Sequence, residues 1–170
     1  MQKAVFLDRD GVINVERGEY TFKSADFELV MGVKESLERL RGFGYLIIVI
    51  TNQAGIAKGI YTHGDVQKCH KRMLKLLPGL IDDVFYCPYY PPISESLARK
   101  PGTLFFERAI ALYHIDPALS WMVGDNERDL IPAKKLGIKT IGIGEKDKFP
   151  SADELAQNLL EAVQRIIVPS

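Results

Sequence analysis

Asp8 and Asp10 stand one residue apart at the end of an apolar run, and paired carboxylates at that spacing can attack, move a proton or hold a metal. The run itself, Ala4-Val5-Phe6-Leu7, is continuous and has β-branched and aromatic members, which predicts a strand buried on both faces. At the carboxyl end of such a strand in an open parallel sheet, a side chain faces a ligand crevice and not a core. Gly11 allows the backbone to turn away directly after Asp10. By itself an Asp-x-Asp often only caps a turn. What raises this pair is the set of residues that closes the later apolar runs.

Thr51-Asn52-Gln53 follows the apolar run 46–50, Arg99-Lys100-Pro101 follows 84–87, and Gly124-Asp125 follows 121–123. Carboxylates at two of these ends suit a divalent cation, and a hydroxyl and a lysine suit a phosphate. Together they indicate phosphoryl transfer.

Taken in order, Asp8-Arg9-Asp10-Gly11-Val12-Ile13-Asn14, Thr51-Asn52-Gln53, Arg99-Lys100-Pro101 and Gly124-Asp125 resemble the four motifs of the haloacid dehalogenase-like phosphohydrolases. The resemblance runs from about residue 3 to about residue 144 and is strongest to the branch of D,D-heptose 1,7-bisphosphate and histidinol-phosphate phosphatases. It implies that Asp8 attacks phosphorus to form an aspartyl-phosphate, and that Asp10 protonates the departing alkoxide and then deprotonates water. It also implies Mg²⁺ held by the Asp8 and Asp125 side chains and the Asp10 main-chain carbonyl.

For the substrate, Thr51 would donate its hydroxyl, and Asn52 and Gln53 their main-chain N–H groups, to phosphate oxygens. Lys100 would supply a compact positive charge to the transferring group. Arg99, with a forked guanidinium, and Arg17, in the polar stretch after the first motif, would meet a second phosphate or sugar hydroxyls. Asn126 stands where the heptose phosphatases usually carry lysine. Asp129 is either a group supporting the metal from behind or a solvated acid in a first helical turn, where negative charge is favoured.

One part of the family pattern is altered. The branch typically has a zinc loop with Cys, His, Cys and Cys as ligands before the Arg-Lys-Pro motif; here Cys87 is followed by Tyr89, Ser96 and Ala98 at the other positions. One thiolate cannot build a closed tetrahedral site, so no structural zinc is expected. Pro88, Pro91 and Pro92 stiffen this loop instead. His63, His70 and His114 do not cluster, none falls at a strand's carboxyl end, and surface or helix-capping places are expected for them.

The elements that must position these groups alternate. Val33, Leu37, Leu40 and Phe43 at helical spacing predict a helix stopped by Gly44, followed by a strand over 45–50. Thr62-His63-Gly64-Asp65 matches a capping box opening a helix to about Leu77. A strand is expected over 83–87, a helix with Pro101 in its first turn and Phe105, Ala109 and Leu112 on its apolar face, a strand over 121–123, a helix to about Leu136, and a strand over 139–143. Ser151-Ala152-Asp153-Glu154 matches a second capping box, predicting a terminal helix that carries Leu155, Leu159, Leu160, Val163 and Ile167. Residues 15–30 show no clear period and read as a loop or small hairpin beside the site. Such alternation predicts an α/β fold, a single doubly wound parallel sheet in one domain over 1–170, with no room for a large cap.

Lys plus Arg equals Asp plus Glu at 22 each, so no global field gathers nucleic acid or an acidic membrane. Two cysteines without metal-ligand spacing suit a reducing compartment, and the first residues lead straight into a strand with no apolar signal region, so a cytoplasmic location is expected. The expected partner is a small phosphate ester: a heptose bisphosphate first, histidinol phosphate next, with a nucleic-acid 3′-phosphatase disfavoured by the balanced charge. A non-catalytic phosphosugar-binding domain on the same fold is the rival reading, which needs neither nucleophile nor acid.

Overall fold

The structure, a computed structural model, describes residues 1–168. The opening apolar run forms β1 (Lys3–Leu7), and its side chains alternate between two cores. Ala4 and Phe6 pack with Ile48, Ile50, Phe106 and Met122; Val5 and Leu7 pack with Leu37, Ile47, Val49 and Val163. A strand buried on both faces is therefore continuous in hydrophobicity and not alternating, and each large side chain it hides contributes about 1.5–3 kcal/mol.

β1 pairs in parallel with β2 (Tyr45–Asn52) on one side and β4 (Trp121–Gly124) on the other. With β3 (Asp83–Cys87), β5 (Lys139–Ile143) and β6 (Glu154–Ala156), they make a six-stranded parallel sheet in the order β3-β2-β1-β4-β5-β6. Helices α1 (Val33–Gly42), α2 (His63–Leu76) and α5 (Leu159–Ile167) cover the face of Val5 and Leu7. Helices α3 (Leu104–Tyr113) and α4 (Glu127–Lys135) cover the other. The chain winds outward from β1 through β2 to β3, then returns to β4 and winds the other way. That reversal opens a crevice between the carboxyl ends of β1 and β4, where ligands bind in such sheets.

Most local signals place their elements as expected. Thr62 caps α2 through a reciprocal pair, its Oγ1 accepting from Asp65 N at 3.2 Å and Asp65 Oδ2 accepting from Thr62 N at 3.0 Å. Residues 15–30 form a loop with one short 3-10 turn, Ser24–Asp26, tied back by a bridge between Asn14 and Leu29. Neither this loop nor residues 88–103 hold a cap domain, so the crevice is screened by loops alone.

Three expectations are corrected. The second capping-box match does not open the last helix: Asp153 accepts from Thr140 N and Thr140 Oγ1 at 2.9 and 2.8 Å, fastening the edge of the sheet, and Glu154 enters β6. α5 starts after Asn158, whose Oδ1 accepts from Glu161 N at 3.0 Å, while Glu161 accepts from Gln157 N at 2.8 Å. Pro101 is not in a first helical turn; the Lys100–Pro101 bond is cis and α3 begins at Leu104. His70 is buried on α2 at 8% exposure, with its ring edge against Tyr86, because the α2 face that bears it packs on the sheet. Among the described residues, no helix is long and apolar enough to cross a membrane.

Candidate active site

Asp8 leaves the end of β1, with its N–H donating to Val123 O at 3.1 Å, and so stands between β1 and β4. Lys100 Nζ donates to its Oδ1 at 2.7 Å, and Asp8 lines a cavity of about 160 Å³. Burial, reinforced by the charges of Asp129 and Asp10 and opposed by Lys100, pushes the Asp8 carboxyl up to about 7.

The Asp10 carboxylate is held on both oxygens. Arg9 Nη2 at 2.9 Å and Asn14 Nδ2 at 3.0 Å donate to Oδ1, and Gln53 Nε2 at 3.2 Å donates to Oδ2. Arg9 is only 1% exposed and also donates to Thr21 O at 2.8 Å, which joins the first motif to the loop beyond it. Gly11 is required for closeness as well as for its left-handed φ of 81°: a Cβ there would lie 2.0 Å from Asp125 Oδ2.

β2 delivers Thr51, Asn52 and Gln53. Asn52 clasps the next motif in both directions, its Nδ2 donating to Lys100 O and its Oδ1 accepting from Lys100 N, each at 3.1 Å. Thr51 Oγ1 accepts from Gln53 Nε2 at 3.0 Å, so its own proton is free for another acceptor. Lys100 spends its ammonium on Asp8, on Asp129 at 2.8 Å and on Ile50 O at 2.7 Å. Burial pulls its pKa down, but Asp129 and Asp8 together outweigh that and keep it charged.

β4 ends at Gly124, where a Cβ would lie 2.5 Å from the Asp129 Cβ, so glycine lets the first turn of α4 close onto the strand. Asp125 follows; burial and the Asp129 charge raise its carboxyl to about 6. Asn126 is the N-cap of α4 and gives its N–H to Asp129 Oδ2 at 3.1 Å. Among the described residues, Asp8, Asp125 and Asp129 form the one group of His, Cys, Asp or Glu ligand atoms that could share a metal, all within 4.8 Å of one another. Three carboxylates with one buried lysine leave excess negative charge, which fits a hard divalent cation.

A second cavity of about 460 Å³ adjoins the first, sharing Asp10, Glu16, Asn52 and Arg128 with it and adding Tyr20, Thr21 and Gln53. Arg99 lines neither of these but a third cavity of about 390 Å³ with Ser96 and Lys100, its Nη1 donating to Tyr89 O at 3.1 Å and its guanidinium 6.0 Å from the Tyr90 ring centre. Burial and nearby Arg128 lower its pKa. Arg17 is not brought in: it turns back on its own loop, 3.5 Å from Glu19 and 3.4 Å from Asp26, and lines neither cavity.

Sequence reasoning gave no role to Arg9, Lys58, Tyr61 or Arg128. Lys58 donates to Tyr20 OH at 2.9 Å and sits 4.3 Å from the Tyr90 ring centre, joining the two loops that overhang the site. Of Asp129's two readings, the solvated one is excluded by 1% exposure. Its spacing from Asn126, a polar cap and an acid three residues on, was the available signal.

A carboxylate after one strand, a hydroxyl at the end of the next, a buried lysine after the third and an acid after the fourth make the arrangement of a haloacid dehalogenase-like hydrolase. The HAD-hydrolase-like family model matches residues 97–162. The D-glycero-beta-D-manno-heptose-1,7-bisphosphate 7-phosphatase of Haemophilus ducreyi is 39% identical over 148 residues, covering 82% of this chain and 81% of its own. The D-glycero-alpha-D-manno-heptose-1,7-bisphosphate 7-phosphatase of Photorhabdus laumondii is 35% identical, covering 97% and 96%. In fold, the chain resembles the D,D-heptose 1,7-bisphosphate phosphatase of B. bronchiseptica, solved with magnesium and phosphate, at a TM-score of 0.88 and 24% identity over 98% of both chains. The chain belongs to the haloacid dehalogenase-like phosphatases, in the branch of the heptose-bisphosphate phosphatases.

Proposed function

We propose that the chain is a Mg²⁺-dependent phosphomonoesterase that removes the 7-phosphate of D-glycero-D-manno-heptose 1,7-bisphosphate through an aspartyl-phosphate on Asp8. The observation that carries the chemistry is the Asp8–Lys100 contact of 2.7 Å beside a cavity that Asp8 lines: one carboxylate oxygen is fixed, and the other has no hydrogen-bond partner among the described residues. The substrate follows from relatives that share 34–39% identity over most of their length.

Asp8 attacks phosphorus and the ester P–O bond breaks; the sugar oxygen takes a proton from Asp10. Water then attacks the acyl-phosphate, Asp10 takes its proton back, and inorganic phosphate leaves. Thr51 offers its free hydroxyl proton to a phosphoryl oxygen, as does the N–H of Asn52, and the Lys100 charge draws the phosphoryl group down; the Gln53 N–H, expected to join them, is instead spent on Cys87 O at 2.7 Å, a bond that continues the β2–β3 ladder. Mg²⁺ would be held by the Asp8 and Asp125 side chains with the Asp10 carbonyl, and supplies positive charge that offsets the repulsion between nucleophile and phosphate. Zinc has no part in this reading, since Cys87, Tyr89, Ser96 and Ala98 offer a single thiolate. Two buried free thiols, Cys69 and Cys87, suit a cytoplasmic enzyme.

The test is a ranking by kcat/KM, with Mg²⁺, of both anomers of the heptose bisphosphate, histidinol phosphate, hexose phosphates and nucleotides. The heptose bisphosphate should lead by at least about tenfold, a difference of 1.4 kcal/mol. Histidinol phosphate leading would overturn the substrate assignment, and no turnover of any ester would overturn the enzyme.

A further inference from the structure

Tyr61 lies in the loop between β2 and α2, away from every strand end, yet it is only 5% exposed. Its hydroxyl donates to Gln53 Oε1 at 2.8 Å. The other end of that amide spends its two protons on the site, one on Asp10 Oδ2 at 3.2 Å and one on Thr51 Oγ1 at 3.0 Å. With both nitrogen protons committed, the buried amide oxygen needs a donor, and Tyr61 supplies it.

The ring that carries this hydroxyl is itself fixed. A Cβ on Gly55 would lie 2.0 Å from its Cε1, so glycine makes the room it occupies. On the outer side, Phe22 stacks on it with ring centres 5.2 Å apart and planes 14° apart, and Tyr20 meets it edge-on at 5.6 Å. Burial raises the Tyr61 hydroxyl to about 12, so it stays a donor across the working pH range.

We propose that Tyr61 is a positioning residue for phosphoryl transfer: its hydroxyl fixes the Gln53 amide, and that amide orients Asp10 for proton transfer and leaves the Thr51 proton free for the phosphate. Through Phe22 and Tyr20, which hold the Tyr61 ring, the loop at 15–30 thereby acts on the chemistry at a distance. This rests on the reading of Asp10 as the acid.

The experiment compares Tyr61→Phe and Asp10→Asn on two esters with Mg²⁺ saturating, a sugar phosphate with a poor leaving group and an activated aryl phosphate. Proton donation matters for the first and little for the second. Tyr61→Phe keeps the ring and its packing; it should lower kcat on the sugar phosphate roughly tenfold and on the aryl phosphate less than about threefold, with KM nearly unchanged. In the ¹⁵N-labelled protein without substrate, the Gln53 side-chain amide resonances should shift or broaden in Tyr61→Phe. Gln53→Met, which keeps the length and removes the amide, should reproduce the substrate split should Tyr61→Phe fail to fold. If Asp10→Asn shows the split and both other variants lose equally on the two esters, or lose nothing, this inference fails alone. If Asp10→Asn shows no split, the reading of Asp10 fails and takes this inference with it.

Discussion

The Lys100 ammonium lies 2.8 Å from the Asp129 carboxylate, and both groups are almost wholly removed from solvent. Because Asp8 shares the same ammonium, the pocket holds Asp8, Asp125 and Asp129 against one buried cation. Asp129→Asn removes one negative charge and one of two acceptors: Lys100 uses Oδ1 and the Asn126 N–H uses Oδ2, and the amide keeps an oxygen for only one of them. Without divalent ions, stability should fall by about 1–3 kcal/mol, the cost of one buried donor left without its acceptor, partly offset by the relief of repulsion among the three carboxylates. Affinity for Mg²⁺ should fall roughly 10–100-fold, the usual cost of losing a group that supports the ligands from behind. Denaturant melts in chelator check the first and calorimetric titration with Mg²⁺ the second; unaltered affinity would leave Asp129 only its cap and its pair with Lys100.

Asp8→Asn removes the nucleophile and nearly keeps the volume. Turnover should drop by at least about 10⁴-fold, because groups that act as a unit fail together. Trapping the phosphoenzyme with labelled substrate and acid quench should label the wild type and not this variant. Steady turnover near the wild-type rate would end the covalent route.

Two buried groups give stability opposing pH dependences. Burial lowers the His70 pKa to about 4 from an ordinary 6.5, so between these values the unfolded chain binds a proton that the folded protein refuses. Its effect is to lower stability as pH falls from about 6.5 toward 4, by on the order of 3 kcal/mol in all. Asp8, raised to about 7, acts the other way: from about 4 to 7 the folded state holds the extra proton, so stability falls as pH rises. Measured by denaturant melts in chelator, His70→Leu should lose the acid-side decline, and Asp8→Asn should steepen it. Parallel curves for wild type and His70→Leu would show that the histidine is protonated in the fold.

The sheet was readable because its strands carry their burial in their composition: Val5, Phe6 and Leu7 or Ile47 to Ile50 admit no other partner than a covered sheet. The strand ends Asp8, Thr51 and Asp125 were readable because topology alone brings strand termini together, while Lys100, at the far end of the loop after β3, was readable from its motif and is held there by Asn52. What escaped was set by side-chain direction within loops. Arg17 was expected at the substrate, but Glu19 and Asp26 sit nearer and hold it. Tyr61 and Lys58 reach the site through aromatic contacts with Tyr20, Phe22 and Tyr90, which no spacing in the chain announces. The capping pattern at Ser151 misled because its acid was wanted by Thr140 across the sheet edge, a long-range contact that local propensity cannot weigh.

With Arg17 held elsewhere, the cation that faces the second cavity besides the buried Arg9 is Arg128, and Arg99, which lines a neighbouring cavity with Ser96 and Lys100, lies close enough to Arg128 to feel its charge. Arg128 is the second residue of α4, where the positive end of the helix dipole disfavours a cation, and no carboxylate pairs with it among the described residues. An unpaired arginine at an unfavourable position, beside a half-buried second arginine, is placed to receive an anion. On the proposed substrate that anion is the phosphate that does not react. Arg99→Ala and Arg128→Ala should each lower kcat/KM for the bisphosphate roughly 10–100-fold, the range for one lost charge-assisted hydrogen bond. On a monophosphate of the same sugar carrying only the reacting group, each should cost less than about threefold. Arg99 also holds Tyr89 O, so a bracing role would make both substrates suffer alike in Arg99→Ala; the Arg128 side chain makes no hydrogen bond among the described residues, and equal losses there would remove the second phosphate from this cavity.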